Sequence, residues 1–161
     1  MKNKISHIIH TLKELYPHAL CALQYEKDYE LMIAVRLSAQ CTDARVNLIT
    51  PALFEKYPTL EAMAQADIAD VEDLIHSCGF FRQKAKDIVI ACQKLLVEFG
   101  GRVPDTMEQL LTLPGVGRKT ANLLLGDLYG VAGSVVCDTH CIRICGRLGL
   151  SEGKDPEKVE K

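Results

Sequence analysis

Leu111-Thr112-Leu113-Pro114-Gly115-Val116-Gly117-Arg118-Lys119-Thr120-Ala121 decides how the rest of this sequence is read. The stretch predicts two helices joined by a very short turn, with two glycines flanking a single valine. Glycine lets a backbone take φ > 0 and approach another surface without steric cost. The second helix starts directly after the turn. Its first N–H groups therefore lack intrahelical acceptors and present the positive end of the helix dipole. Such an end binds anions, and a DNA phosphate is a suitable one. Contacts of this kind position a protein on DNA without reading its sequence. Taken alone, the turn is equally compatible with an ordinary αα-hairpin whose glycine closes the first helix.

Outward from the hairpin, almost every segment has helical periodicity. Asp105 with Glu108 is a D-x-x-E variant of the capping box and opens a short helix through Leu113. A helix follows from about Arg118 to Tyr129, then a loop over Gly130 to Val136. Asp138 is placed to cap a helix reaching Arg147. Upstream, a long helix spans roughly Arg82 to Phe99 and is closed by Gly100-Gly101, and Thr59 and Asp67 cap two short helices ending at Ser77-Cys78-Gly79. Ile5, Ile8, Ile9, Leu12 and Leu15 form one helical stripe behind an Asn3 cap. Helices are also expected over Asp28 to Ala39 and from a cap near Thr42-Asp43 to just before Pro58, with Pro51 marking a kink or an early boundary. The tail from Ser151 is charged, with a last helix starting at Pro156. There is no period-2 strand and no internal repeat, so the expected fold class is all-α.

At 161 residues, 48% apolar and 25% charged, the composition is that of a globular protein with one core or a compact pair of lobes. No apolar run approaches the roughly 20 residues of a membrane span. Met1-Lys2-Asn3-Lys4-Ile5 has no signal-peptide character, so a cytoplasmic location is expected. The net charge of −2 does not favour nucleic acid globally. DNA binding would have to rest on local basic residues and backbone donors. The seven cysteines are odd in number and form no C-x-x-C pair, which reads as reduced thiols. If Cys137, Cys141 and Cys145 shared one helix, the outer two would lie about 12 Å apart, too far for one metal ion. They read as small buried apolar side chains.

Lys119 falls in the first turn of its helix, where the dipole opposes a cation and Arg118 adds a like charge. That placement is poor for stability and good for a nucleophilic amine. Asp138, at an N-cap, would accept backbone N–H bonds that favour its ionised form. A solvated lysine and a merely capping aspartate remain open on these grounds.

Four separated stretches, in matching order, resemble the endonuclease III family of helix-hairpin-helix DNA glycosylases. Leu113-Pro114-Gly115-Val116-Gly117-Arg118-Lys119-Thr120-Ala121-Asn122 is similar to its hairpin. Cys137-Asp138-Thr139-His140, with Arg143 and Arg147-Leu148-Gly149, is similar to its V-D-T-H segment, with Cys137 for the usual Val and Gly146 for the usual Asn. Leu37-Ser38-Ala39-Gln40-Cys41-Thr42-Asp43 and Gly79-Phe80-Phe81-Arg82-Gln83-Lys84-Ala85 match two further loops.

The resemblance implies a helical-bundle glycosylase fold. A helical barrel domain would occupy 18–133, with the helix-hairpin-helix near 107–129. Residues 1–17 and 134–161 would form part of a second lobe. It implies base excision repair of oxidised pyrimidines in double-stranded DNA, with abasic-site lyase activity, by a monomer. The damaged nucleotide is flipped out, Lys119 attacks the sugar, and Asp138 stabilises positive charge there and helps manage the lysine proton. Gln40 and Phe80 would fill the gap left by the flipped base. Arg82, Lys84, Lys86 and Arg118 are candidate phosphate neighbours, and Gly115, Val116, Gly117 and Thr120 complete the expected DNA contact. His140 and Arg143 read as structural. Backbone carbonyls of Leu111, Leu113 and Val116 would hold a monovalent cation. A monofunctional glycosylase and a non-catalytic DNA-binding hairpin module are the alternatives.

The family also carries a later run of four cysteines that binds a 4Fe-4S cluster. None of the seven cysteines here fits those positions. The expectation is a C-terminally truncated relative without the cluster or the helices that would cover Ile5, Ile8, Ile9 and Leu12.

Overall fold

A computed structural model describes residues 2–19, 21–153 and 155–160. Among these the secondary structure is entirely helical, as expected: α1 (Lys2–Leu15), α2 (Asp28–Ser38), α3 (Asp43–Lys56), α4 (Leu60–Ala64), α5 (Ile68–Ile75), α6 (Phe81–Glu98), α7 (Met107–Leu110), α8 (Arg118–Tyr129), α9 (Thr139–Arg147) and α10 (Pro156–Glu160). No helix of the described residues is long and apolar enough to cross a membrane.

The hub is α2. Its run Leu31-Met32-Ile33-Ala34-Val35 is apolar on every face, and such a helix is stable only when surrounded. Tyr29 to Val35 and Leu37 are all buried, and α3, α6 and α8 pack around them. The polar exception, Glu30, lies in the first turn, where the dipole favours an anion. One carboxylate oxygen accepts the backbone N–H groups of Glu26 and Lys27 at 2.8 and 3.2 Å. Helix α6 backs α2 and carries α4 and α5 on its flank, while α7 and α8 form the hairpin. The core cluster draws all its buried members from between Leu23 and Leu125.

Side-chain caps at Thr59, Asp67 and Asp138 stand where the sequence puts them. Three boundaries differ. Thr106, not Asp105, caps α7, accepting the N–H of Gln109, so the helix starts one residue later than the D-x-x-E reading and ends at Leu110. Asn3 is no cap, because α1 already runs from Lys2. Helix α3 continues through Pro51. That proline is exposed, so the acceptor it leaves without a donor sits on the solvent side.

Helix α1 lies outside the core cluster. Ile5, Ile9 and Leu12 are each at least 40% exposed, and Ile8 is half-buried. The apolar stripe therefore has little cover, which makes it an association liability.

Candidate active site

The hairpin turn is held from beneath. Leu113 and Val116 put their side chains into the core at 2% and 7% exposure, so the intervening backbone forms the surface. Gly115 has φ +74°, and a Cβ there would stand 2.3 Å from Arg36 Nε and 2.9 Å from Asp87 Oδ2. Arg36 donates from Nε and Nη2 to Asp87 Oδ2 at 2.9 and 2.6 Å, and Gln83 donates to Asp87 Oδ1 at 2.8 Å. A largely buried ion pair thus seats the turn. Gly117 differs from the expectation of φ > 0. It is the extended N-cap of α8 at φ −96°, ψ 177°, with open space where a Cβ would point. Its lack of a side chain leaves the helix N-terminus uncovered rather than permitting a strained backbone.

Lys119 occupies the first turn of α8, beside a cavity of about 300 Å³. Gln40, Thr120, Ser38 and Asp43 share its wall, as does Cys21. Asp138 caps α9 beside Lys119, and its two oxygens divide the work. Oδ1 accepts the N–H groups of His140 and Cys141 at 2.9 and 2.8 Å. Oδ2 lies 3.8 Å from Lys119 Nζ. The Cys141 N–H bond first, then the Lys119 charge and the His140 N–H, hold this carboxyl below the usual carboxylate range. An ionised carboxylate therefore faces a primary amine at the edge of a concave site. Such a pair can attack an electrophilic carbon and stabilise the cation that forms.

Gln40 and Phe80 stand out on backbone grounds. They are the non-glycine residues with positive φ among those described, at 54° and 58°. Each such conformation costs about 1–2 kcal/mol, and strain of this kind collects at functional sites. Phe80 is 68% exposed, although an aromatic ring gains by burial. The two tips belong to abutting loops, since a Cβ on Gly79 would meet the Gln40 carbonyl oxygen at 3.6 Å.

The basic residues separate. Arg82 is exposed, lies 5.0 Å from the Phe81 ring centroid, and has Glu72 at 4.0 Å. Lys84 corrects the sequence reading. It is 1% exposed and donates to the carbonyls of Leu37 and Ala39 at 2.8 and 2.7 Å, so its ammonium cannot also meet a phosphate. It ties the end of α2 to α6 and so shapes the Gln40 loop. Arg118 makes a bidentate pair with Glu160, both bonds at 2.8 Å, which offsets the like charge expected to act on Lys119. His140 and Arg143 contact each other at 3.3 Å on the surface of α9.

Sequence reasoning passed over Cys21, Ser38 and Asp43 as cavity residues. For Asp43 a signal existed. The loop offers two capping residues, and Thr42 takes the cap by accepting the N–H of Arg45, which frees the next carboxylate for the cavity.

The cysteines do not fit a 4Fe-4S cluster, which needs four converging thiolates. Among the described residues no three His, Cys, Asp or Glu side chains gather as a metal site. Among the described residues the thiols meet as Cys41 with Cys78 at 3.8 Å and as Cys141 with Cys145 at 3.9 Å, with Cys137 also beside Cys141, so no four converge. Cys137 precedes α9 instead of sharing it, so these three residues are not one helical row.

Residues 33–161 match the model of the HhH-GPD superfamily, described as base excision DNA repair proteins. The endonuclease III of Synechocystis is 51% identical over 99% of this chain and 73% of its own length. That of Bacillus subtilis is 40% identical over 98% and 72%. A solved structure of a trapped endonuclease III–DNA covalent intermediate superposes with a TM-score of 0.91 at 40% identity, over 99% of this chain and 75% of that one. A thermostable thymine-DNA glycosylase shares the fold, with a TM-score of 0.80 at 21% identity. The order of the four motifs, the all-helical architecture and these likenesses agree: the chain belongs to the endonuclease III family of base excision DNA glycosylases, within the HhH-GPD superfamily.

Proposed function

We propose that the chain is a bifunctional enzyme that removes oxidised pyrimidines from double-stranded DNA and then cleaves the strand as an abasic-site lyase. The observation that carries this reading is the 3.8 Å approach of Lys119 Nζ to Asp138 Oδ2 beside a cavity. The relative trapped as a covalent DNA intermediate supports a covalent route. The preference for oxidised pyrimidines rests on the family resemblance.

DNA lies along the groove between the helical barrel of 18–133 and the flank formed by 1–17 with 134–161. This division puts Lys119 on one wall and Asp138 on the other. The N-terminus of α8, left open at Gly117, receives a backbone phosphate through its unpaired N–H groups. Gly115 and Val116 present backbone there, with Arg82 as a cationic neighbour and Arg118 joining it only on releasing Glu160. The carbonyls of Leu111, Leu113 and Val116 hold a monovalent cation that stiffens the turn. Leu113 keeps a lone pair for it after accepting the Val116 N–H at 3.1 Å. Gln40 and Phe80 replace the extruded nucleotide in the stack, and Thr120 lines the cavity that takes it.

The neutral amine of Lys119 attacks the anomeric carbon. The C–N bond forms as the glycosidic bond breaks, and the base leaves with a proton. Asp138, kept ionised by its two cap bonds, stabilises the positive charge on the sugar. The resulting Schiff base acidifies the adjacent sugar C–H. Loss of that proton expels the 3′ phosphate. No step uses an iron–sulfur cluster.

A labelled duplex containing thymine glycol tests the reading. The expected result is strand cleavage without alkali. Base release with an intact strand would make the enzyme monofunctional, and binding without base release would reduce it to a hairpin module. Either result refutes the proposal.

A further inference from the structure

Cys41 and Cys78 lie 37 residues apart in sequence, yet their sulfurs are 3.8 Å apart, within hydrogen-bond reach. Each stands one or two residues from a strained loop tip, Cys41 after Gln40 and Cys78 before Gly79-Phe80. The loops abut closely enough that a Cβ on Gly79 would meet the Gln40 carbonyl oxygen, and the buried Lys84 ammonium ties the first loop to α6. We propose that Cys41 and Cys78 are a redox modification site, forming a reversible disulfide that joins the roots of the Gln40 and Phe80 loops and weakens their engagement of DNA. The effect on DNA rests on the functional reading above, whereas the disulfide chemistry does not.

Cys41 is partly exposed and Cys78 is buried, so an oxidant reaches Cys41 first. The oxidant class is a hydroperoxide. Cys41 sulfur attacks the O–O bond, which breaks, giving a sulfenic acid and, with hydrogen peroxide, water. Cys78 sulfur then displaces the sulfenic oxygen. The S–S bond forms, the S–O bond breaks, and a second water leaves. Two thiols lose two electrons and the hydroperoxide gains them. Burial pushes the Cys78 thiol up to about 11, while the nearby Lys84 and Arg45 charges pull the other way, which suits it to resolving rather than initiating. The sulfurs must close by nearly 2 Å to reach a disulfide length of about 2.05 Å. Whatever part of that closure side-chain rotation does not supply must come from the roots of the two loops. The pair Cys141 and Cys145 joins one turn of α9 to itself and couples nothing.

The test treats the full chain with hydrogen peroxide, maps non-reduced peptides by mass spectrometry, and measures affinity for an abasic-site duplex. The expected result is a Cys41–Cys78 linked peptide and roughly tenfold weaker binding, both reversed by dithiothreitol. Cys41→Ser, or Cys78→Ala should the first fold poorly, should bind like the reduced wild type and ignore peroxide. Absence of the linked peptide overturns the proposal, as does a linked protein with unchanged affinity. A reduced protein that forms the link but never binds the duplex instead brings down the DNA-facing reading, and the proposed effect falls with it.

Discussion

Gly115→Ala should unseat the hairpin. The new Cβ would lie 2.3 Å from Arg36 Nε and 2.5 Å from its Cδ, well inside contact distance, so the guanidinium must leave Asp87. The two side chains are only 17% and 11% exposed. Breaking a buried pair costs about 3–5 kcal/mol. The lower end applies, because Asp87 keeps its bond from Gln83. Holding alanine at φ +74° adds about 1 kcal/mol. Together the loss is roughly 4 kcal/mol. With a urea m-value of about 2 kcal/mol/M, the midpoint should fall by about 2 M. The control is Gly117→Ala, at φ −96° in open space. It should cost under about 1 kcal/mol as a changed N-cap, yet weaken DNA binding, because its methyl group stands where a phosphate must approach. Equilibrium urea unfolding with duplex-binding assays reads both. A Gly115→Ala loss under 1 kcal/mol, or equal stability losses for the two variants, would refute the division into a seating glycine and a contact glycine.

Three further outcomes follow from the same structure. Lys84→Met leaves the Leu37 and Ala39 carbonyls without their donor and should cost about 2 kcal/mol, or about 4–8 °C in thermal midpoint; an unchanged midpoint by calorimetry contradicts its tying role. Asp138 has a folded pKa below its unfolded value of about 3.9. Its stabilising contribution is therefore complete above that pH and lost as pH falls through the folded value. Asp138→Asn, which still caps α9, should flatten the acid limb of the stability–pH curve and cut strand cleavage at neutral pH; retained cleavage removes Asp138 from the chemistry. Arg82→Ala should lower the salt slope of DNA affinity by about 1 without changing stability, and an unchanged slope shows that it meets no phosphate.

The fold was legible wherever a local rule settled it. The helical spacing over Asp28 to Ala39 announced α2, though not its burial on every face, and Thr59, Asp67 and Asp138 capped where expected because a cap needs only its own side chain and the next two or three N–H groups. What the sequence hid depends on partners far along the chain. Lys84 looked like a surface cation because its acceptors lie 47 and 45 residues upstream. The seating role of Gly115 was hidden because the Arg36–Asp87 pair beneath it comes from two other helices. Arg118 looked free because Glu160 belongs to the last described helix. The approach of Lys119 to Asp138 came from the motif resemblance, since nothing local to either residue predicts the distance between α8 and α9.

Borohydride trapping on abasic-site DNA, followed by peptide mass spectrometry, tests the chemistry most directly. The account predicts a reduced sugar adduct on the peptide bearing Lys119. It should disappear in Lys119→Ala while stability stays within about 0.5 kcal/mol, as expected for a side chain 58% exposed. An adduct on any other residue, or none from a protein that binds the duplex, would contradict it.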